Sequence, residues 1–267
     1  MDPSSTYRRS NRVVNDPTNI PLRCWAEIDL AALERNLISI QANLPDRIKY
    51  IAVVKADAYG HGMQQTVARL MQAGVDMFAV ANIVEAANIR EIGTGWPIIV
   101  LGATLENEES FLFEYDLIPT ISTIEEVIRL NAKAKAFGKP LKAHLKIDTG
   151  MGRLGIWHEY ADELFDAFKQ AEFIQLDGIY THFAAADQDP DFTRYQRKIF
   201  LESIKRIDWL PLNELLIHAD NSAGITTFAP ESVYNAVRIG LLQFGIRPYP
   251  TSIFAQVETT PIFQFKS

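Results

Sequence analysis

Residues 50–62 read YIAVVKADAYGHG: five apolar residues, an amine, then a turn carrying two glycines. A short, nearly continuous apolar run is what a strand buried on both faces requires, the condition of a parallel sheet covered by helices. Lys55 closes that run. An amine leaving a dry strand is partly desolvated, which disfavours the ammonium form and suits a lysine that condenses with a carbonyl. A lysine after a strand is more often simply solvated, so position 55 needs company before it means anything.

Runs of the same kind recur at 77–80 (MFAV), 98–101 (IIVL), 117–121 (LIPTI), 141–147 (LKAHLKI), 176–181 (LDGIYT), 214–218 (ELLIH) and 235–239 (NAVRI). Helical stretches separate most of them. One begins at Asp29, a natural N-cap, and carries Leu30, Leu33, Leu37, Ile40 and Leu44 on one stripe. Another has capping-box spacing at Ser122 and Glu125, turns Ile124, Val127 and Ile128 inward, and stops at Gly138 and Pro140. A third opens with Asp189 and Pro190 and runs through Phe192, Tyr195, Ile199 and Ile204. Eight strand–helix alternations predict an α/β protein of the (β/α)8 TIM-barrel type, with a doubly wound sheet as the competing arrangement.

The 267 residues carry a net charge of −7, which argues against a broad nucleic-acid or anionic-membrane surface. The single cysteine, Cys24, excludes an internal disulfide framework and fits a reducing, cytoplasmic compartment. No run approaches the ~18 apolar residues of a membrane span, and the first residues contain no apolar signal core. Residues 1–22 read as a flexible extension, 23–246 as the barrel, and 247–267 as a linker followed by a strand around Ile262, Phe263 and Phe265. That strand is expected to open a further β-domain that the sequence does not continue; the alternative is that it closes on its own domain.

In a barrel, function gathers where strands end. KIDTGMGRLG (146–155) follows the fifth run; its Gly150, Gly152 and Gly155 permit tight turns with exposed N–H groups, and Arg153 adds a fixed cation. In the strand before it, Lys142, His144 and Lys146 alternate with apolar residues, which would put cationic groups in a closed lumen. His182 follows the sixth run, His218, Asn221 and Ser222 the seventh, and Arg238, Gly240 and Leu241 the eighth. Barrels commonly build phosphate sites from loops at this last position. One lysine, two arginines, two histidines and a phosphate-type loop suit an anionic aldehyde cofactor, of which pyridoxal 5'-phosphate is the obvious candidate. Taken singly, each of these residues has an ordinary structural explanation.

Five segments in order, AVVKADAYGHG (52–62), KIDTGMGRLG (146–155), YTHFAAAD (180–187), HADNSAG (218–224) and AVRIGLLQFG (236–245), resemble the motif set of bacterial alanine racemase. The resemblance implies a pyridoxal-phosphate-binding barrel of fold type III, a C-terminal β-domain and a homodimer whose sites mix both chains. It implies that Lys55 is the Schiff-base lysine and one of two bases acting at Cα of alanine. Tyr59, Asn221, Ser222, Gly240 and Leu241 would bind the cofactor, chiefly its phosphate, and Arg238 would face the pyridine nitrogen. His182 would support that network, and Arg153 would bond the phenolic oxygen and orient the substrate carboxylate. Lys146 matches a lysine that some members carbamylate; no metal is implied. The second base of the family is a tyrosine of the partner's C-terminal domain, and no tyrosine here matches its motif. The implied role is D-alanine supply for peptidoglycan. Two rivals are a non-catalytic cofactor-homeostasis barrel and a cofactor-free Schiff-base lyase.

Overall fold

All eight apolar runs are strands of one parallel sheet. The computed structural model of the chain describes residues 6–8, 23–223, 233–247 and 257–267. In chain order the strands are β1 (Thr6–Arg8), β2 (Trp25–Asp29), β3 (Lys49–Val53), β4 (Met77–Val80), β5 (Ile98–Val100), β6 (Ile118–Ile121), β7 (Leu141–Asp148), β8 (Ile156–Trp157), β9 (Ile174–Tyr180), β10 (Leu216–His218), β11 (Ala236–Ile239) and β12 (Phe263–Lys266). The sheet runs β10–β9–β7–β6–β5–β4–β3–β11, with short β8 added parallel to β7. This is a (β/α)8 barrel, nearly closed.

The seam between β10 and β11 is stitched by a side chain. Asn235 Oδ1 accepts from the Ile217 N–H at 2.7 Å, and its Nδ2 donates to the Leu215 carbonyl at 2.7 Å. The Asn235 N–H donates to Ile217 O at 3.1 Å, and further along the Arg238 N–H donates to Asp220 O at 3.0 Å. An amide side chain carries both a donor and an acceptor, so it can stand in for a peptide group where two strands do not run close enough to pair.

Alternation sorts the two faces of the sheet. Outward residues such as Ala143, Leu145, Ile147, Ile179, Val237 and Ile239 pack beneath the helices in the main core. Inward, Ile51, Val53, Met77, Ala79, Ile99, Ile118 and Ala236 fill one side of the lumen. The register carries Thr120, His144, Lys146, Tyr180, His218 and Arg238 to the other side. A barrel interior with one apolar and one polar half is unusual, and the polar half must find its own partners.

The helix Leu30–Gln41 starts as expected, with Asp29 accepting from the Ala32 N–H at 2.8 Å. Two expectations are corrected. The helix Ile124–Phe137 is capped one residue later than read: Thr123 and Glu126 form the capping box, and the Glu126 carboxylate also takes the Ser122 N–H at 2.7 Å. Its buried stripe is therefore Val127, Leu130 and Ala134, and Ile128 faces solvent. In the helix Pro190–Ile204, capped by Asp189 at Phe192 N, Tyr195 likewise points outward while Gln196, Ile199, Phe200 and Ser203 point inward. Both misreadings come from treating spacing as orientation.

The run at the C-terminal end is a strand, and its partner is one that periodicity does not reveal. β12 pairs antiparallel with β2, which also pairs with β1, in a small separate sheet. Of the predicted extension and linker, residues 1–5, 9–22 and 248–256 lie outside the described residues.

Asn235→Ala removes both stitches and leaves a strand N–H and a strand carbonyl without partners. It is expected to lower unfolding free energy by about 2–4 kcal/mol, seen as a lower urea midpoint at unchanged slope.

Candidate active site

The C-terminal ends of the barrel strands enclose a cavity of about 560 Å³ lined by Lys55, Tyr59, Lys146, Arg153, His182, Asn221, Ser222, Arg238, Gly240 and Leu241. Every residue that the motif resemblance assigned to the site lies on its wall; His218, also read at this rim, is buried beneath it and does not line the cavity. A larger hollow, about 1070 Å³, opens at the other end of the barrel around Lys49, Met77, Lys142 and Asp177 and contains none of them.

Lys55 is positioned by a strained turn. Ala56, Asp57, Ala58 and Tyr59 all have φ between 53° and 55°, and Gly60 follows at 81°. Four consecutive side-chain-bearing residues in the left-handed region cost about 1–2 kcal/mol each. The turn is fastened along its length. Glu85 accepts from Ala56 N at 2.7 Å with one carboxylate oxygen and from Ala81 N at 2.8 Å with the other. Asp57 accepts from Met63 N at 2.7 Å, capping the next helix. His61 Nδ1 lies 2.9 Å from Ala58 O, its ring stacked on Phe244 at 4.5 Å. Lys55, at the start of this turn, and Tyr59, at its end, both line the cavity.

Burial lowers the Lys55 pKa, and the nearby Arg153 lowers it further, while Glu85 pulls the other way. Tyr59 is pushed by burial up to about 12, so it is a neutral phenol. Its hydroxyl sits against Gly240: a Cβ there would fall 2.6 Å from the Tyr59 oxygen. Only glycine lets the backbone after β11 meet that phenol.

The glycine-rich loop after β7 does something other than expected. Its N–H groups are not presented to the cavity, because the Asp148 carboxylate collects those of Gly150 (2.9 Å), Met151 (2.8 Å) and Gly152 (2.9 Å). Gly155, at φ 113°, lies against the β7 backbone, where a Cβ would meet Asp148 N at 2.8 Å. The loop thus folds back to form β8 and carries Arg153 to the cavity wall. Beneath it Lys146 Nζ bonds Leu154 O, and burial lowers that amine's pKa to about 8.

Arg238 is the most enclosed cation of the site. It is buried and donates to the carbonyls of His218 (3.2 Å), Thr181 (2.8 Å) and Ala219 (2.9 Å). It also donates to His218 Nδ1 at 2.6 Å and His182 Nδ1 at 3.3 Å. A guanidinium has no acceptor, so both imidazoles must offer a bare nitrogen and be neutral. Burial, reinforced by Arg238, lowers His182 to about 3 and takes His218 well below its ordinary value. Arg238 itself is lowered by burial to about 10 and stays charged at neutral pH.

Sequence reading missed Glu85, Asp148 and the role of His61. Glu85 stands three residues after Asn82, which caps the helix Ile83–Ile92. That spacing marks a helix start, and nothing local shows that its carboxylate reaches to residue 56.

The profile of the family described as "Alanine racemase, N-terminal domain" matches residues 28–248. The chain is 34% identical over 258 residues to an alanine racemase of Halothermothrix orenii, covering 96% of this chain and 66% of that protein. It is 37% identical over 243 residues to one of Treponema denticola, covering 90% and 64%. Its fold superposes on the solved alanine racemase of Clostridium difficile 630 with a TM-score of 0.84 at 32% identity, covering 93% of this chain and 65% of that one. The chain therefore spans about two thirds of the length of these relatives.

His182, neutral in the folded state, takes up a proton on unfolding below its ordinary pKa of 6.5, so stability is lost as pH falls from there toward 3. Urea titrations between those limits are expected to show a decline whose slope His182→Gln reduces by about 1.4 kcal/mol per pH unit.

Proposed function

Because the chain belongs to the alanine racemase N-terminal domain family, we propose that it is the cofactor-binding barrel of an enzyme interconverting L- and D-alanine with pyridoxal 5'-phosphate. The observation that carries this reading is the meeting of Lys55, Arg153, His182 and Arg238 on one cavity wall. The residues fit the cofactor chemically. The backbone approach of Gly240 to Tyr59, beside Ser222, makes a cradle that a Cβ would fill and would hold the phosphate together with Asn221 and Leu241. When bound, the cofactor supplies an electron sink that acidifies the Cα–H of an attached amino acid.

The chain's residues have distinct tasks. Lys55, with its lowered pKa, holds the aldehyde and moves the proton on one face of Cα. Arg238, having only N–H donors, would hold the cofactor's ring nitrogen unprotonated. A weaker electron sink of that kind would favour return of the proton to Cα over its delivery elsewhere. His182 stays neutral beside Arg238, and Arg153, on the cavity wall, would bond the cofactor's phenolic oxygen and orient the substrate carboxylate. Lys146 holds the Arg153 loop, and its lowered pKa favours the neutral amine that carbamylation consumes. The second base is assigned to a region beyond residues 28–248, supplied by a partner copy in a homodimer. A cytoplasmic location, with D-alanine passing to peptidoglycan, accords with the single cysteine, Cys24.

Borohydride trapping with pyridoxal phosphate, followed by peptide mass mapping, is expected to place the label on Lys55, with none taken up by folded Lys55→Ala. Racemisation by the gene product at its native length reads the activity itself; no conversion at saturating cofactor would refute the assignment.

Arg153 lowers the Lys55 pKa, so Arg153→Ala is expected to move the pH profile of trapping upward. A profile unchanged or moved downward would remove Arg153 from the neighbourhood of the amine.

A further inference from the structure

Behind the cavity wall a buried carboxylate is gripped from outside the barrel. Asp220 follows β10, and the guanidinium fork of Arg197, on the helix Pro190–Ile204, donates to both of its oxygens, from Nη2 at 2.5 Å and from Nη1 at 3.3 Å. A planar fork that holds both oxygens fixes orientation as well as distance. Arg197 is steadied in turn, lying over the rings of Phe183 at 5.0 Å and Tyr234 at 5.2 Å. Neither Arg197 nor Asp220 lines the cavity. One residue earlier on the same helix, buried Gln196 fastens the neighbouring strand end, donating to His182 O at 3.3 Å and accepting from Ala184 N at 2.9 Å.

The backbone around Asp220 does reach the site. Its own carbonyl accepts from the Arg238 N–H at 3.0 Å, and the preceding carbonyl, Ala219 O, accepts from Arg238 Nη2 at 2.9 Å. The next residue, Asn221, bridges to Arg238 across the seam, and Asn221 and Ser222 stand on the cavity wall. Residues 219–222 lie past the end of β10 at His218, where a backbone keeps its place only if something besides a strand ladder holds it. The side chain in the middle of this segment is the one Arg197 pins. Charge couples the same three groups. Burial raises the Asp220 pKa, and Arg197 opposes that ahead of Arg238; burial lowers the Arg238 pKa, and Tyr180 and Asp220 oppose it. Without Arg197, Arg238 would be the remaining cation acting on a buried carboxylate, a costly state that draws on the acceptors around Arg238.

We propose that Arg197 is a positioning residue for Arg238 and for the Asn221–Ser222 wall, acting through the side chain of Asp220. By fixing that side chain it sets the two carbonyls that Arg238 bonds and the wall residues that follow them. Its effect on a bound cofactor rests on the functional reading given above; its effect on Arg238 does not.

Arg197→Met keeps an apolar stem and removes the fork. Amide hydrogen exchange of the 267-residue chain without cofactor, resolved by NMR, compares the Arg238 N–H, bonded to Asp220 O, with the Phe78 N–H, bonded to Pro97 O on another strand pair. Arg197→Met is expected to speed exchange at Arg238 by about tenfold relative to Phe78, whereas a pair that only adds global stability would speed both alike. Affinity for pyridoxal phosphate is expected to fall by about tenfold as well. Arg69→Met, which breaks the 2.9 Å pair with Glu34 between two helices away from the cavity, is expected to leave both the ratio and the affinity as in the parent. A parental exchange ratio in folded Arg197→Met would overturn the proposal, and so would a parental affinity where the parent chain binds the cofactor. If Arg197→Met does not fold, Arg197→Lys, a point charge in place of the fork, decides: a raised ratio supports the proposal and a parental one overturns it. A parent chain that takes up no cofactor would count against the functional reading alone, and the exchange ratio would still decide this one.

Discussion

A guanidinium inside a protein cannot shed its charge, and that constraint organises this barrel around Arg238. Burying an ion costs several kcal/mol even after relaxation, so the surroundings must supply acceptors on every side. Here they are the carbonyls of residues 181, 218 and 219 and two imidazole nitrogens. Parallel strands end with their carbonyls at the rim, so the fold itself provides part of that acceptor set. The remainder falls to histidines, which can present a bare nitrogen only if they stay neutral. One obligatory cation thus fixes the protonation of two neighbours and gives the polar half of the lumen its direction.

The second constraint is strain. Four residues after Lys55 adopt left-handed conformations that no side-chain-bearing sequence favours locally. Such geometry persists only where the surroundings over-determine it. Glu85, Asp57 and His61 each fasten one part of the turn, and the stacking of His61 on Phe244 ties it to the segment after β11. The gain is that two functional groups four residues apart, Lys55 and Tyr59, project into one cavity.

The two constraints meet because β3 and β11 are neighbours, with Ile51 opposite Arg238 in the register. The amine and the buried cation are therefore placed by adjacent strands, and Gly240 closes the space between them through its contact with Tyr59. The other wall is built by β7 and its returning loop. There the glycines serve compactness and not anion binding: their N–H groups are spent on Asp148, and the loop's contribution to the cavity is the side chain of Arg153.

Much of this is legible in the residues. The eight apolar runs are all strands within a residue or two of where they were read, because burial on both faces leaves a signal that needs no partner to interpret. The residues at the strand ends follow from that, since a barrel sends function to its C-terminal rim. Orientation around a helix was less legible: Ile128 and Tyr195 sit at apolar spacing yet face solvent, because the true stripe depends on where the helix is capped and what packs beneath it. The pairing of β12 with β2, the reach of Glu85 to residue 56, the Asn235 stitch and the line from Arg238 through His218 to His144 join segments far apart in the chain. A sequence determines which groups are available and roughly where along each strand they stand. Which of them meet depends on distances that exist only after the barrel has closed.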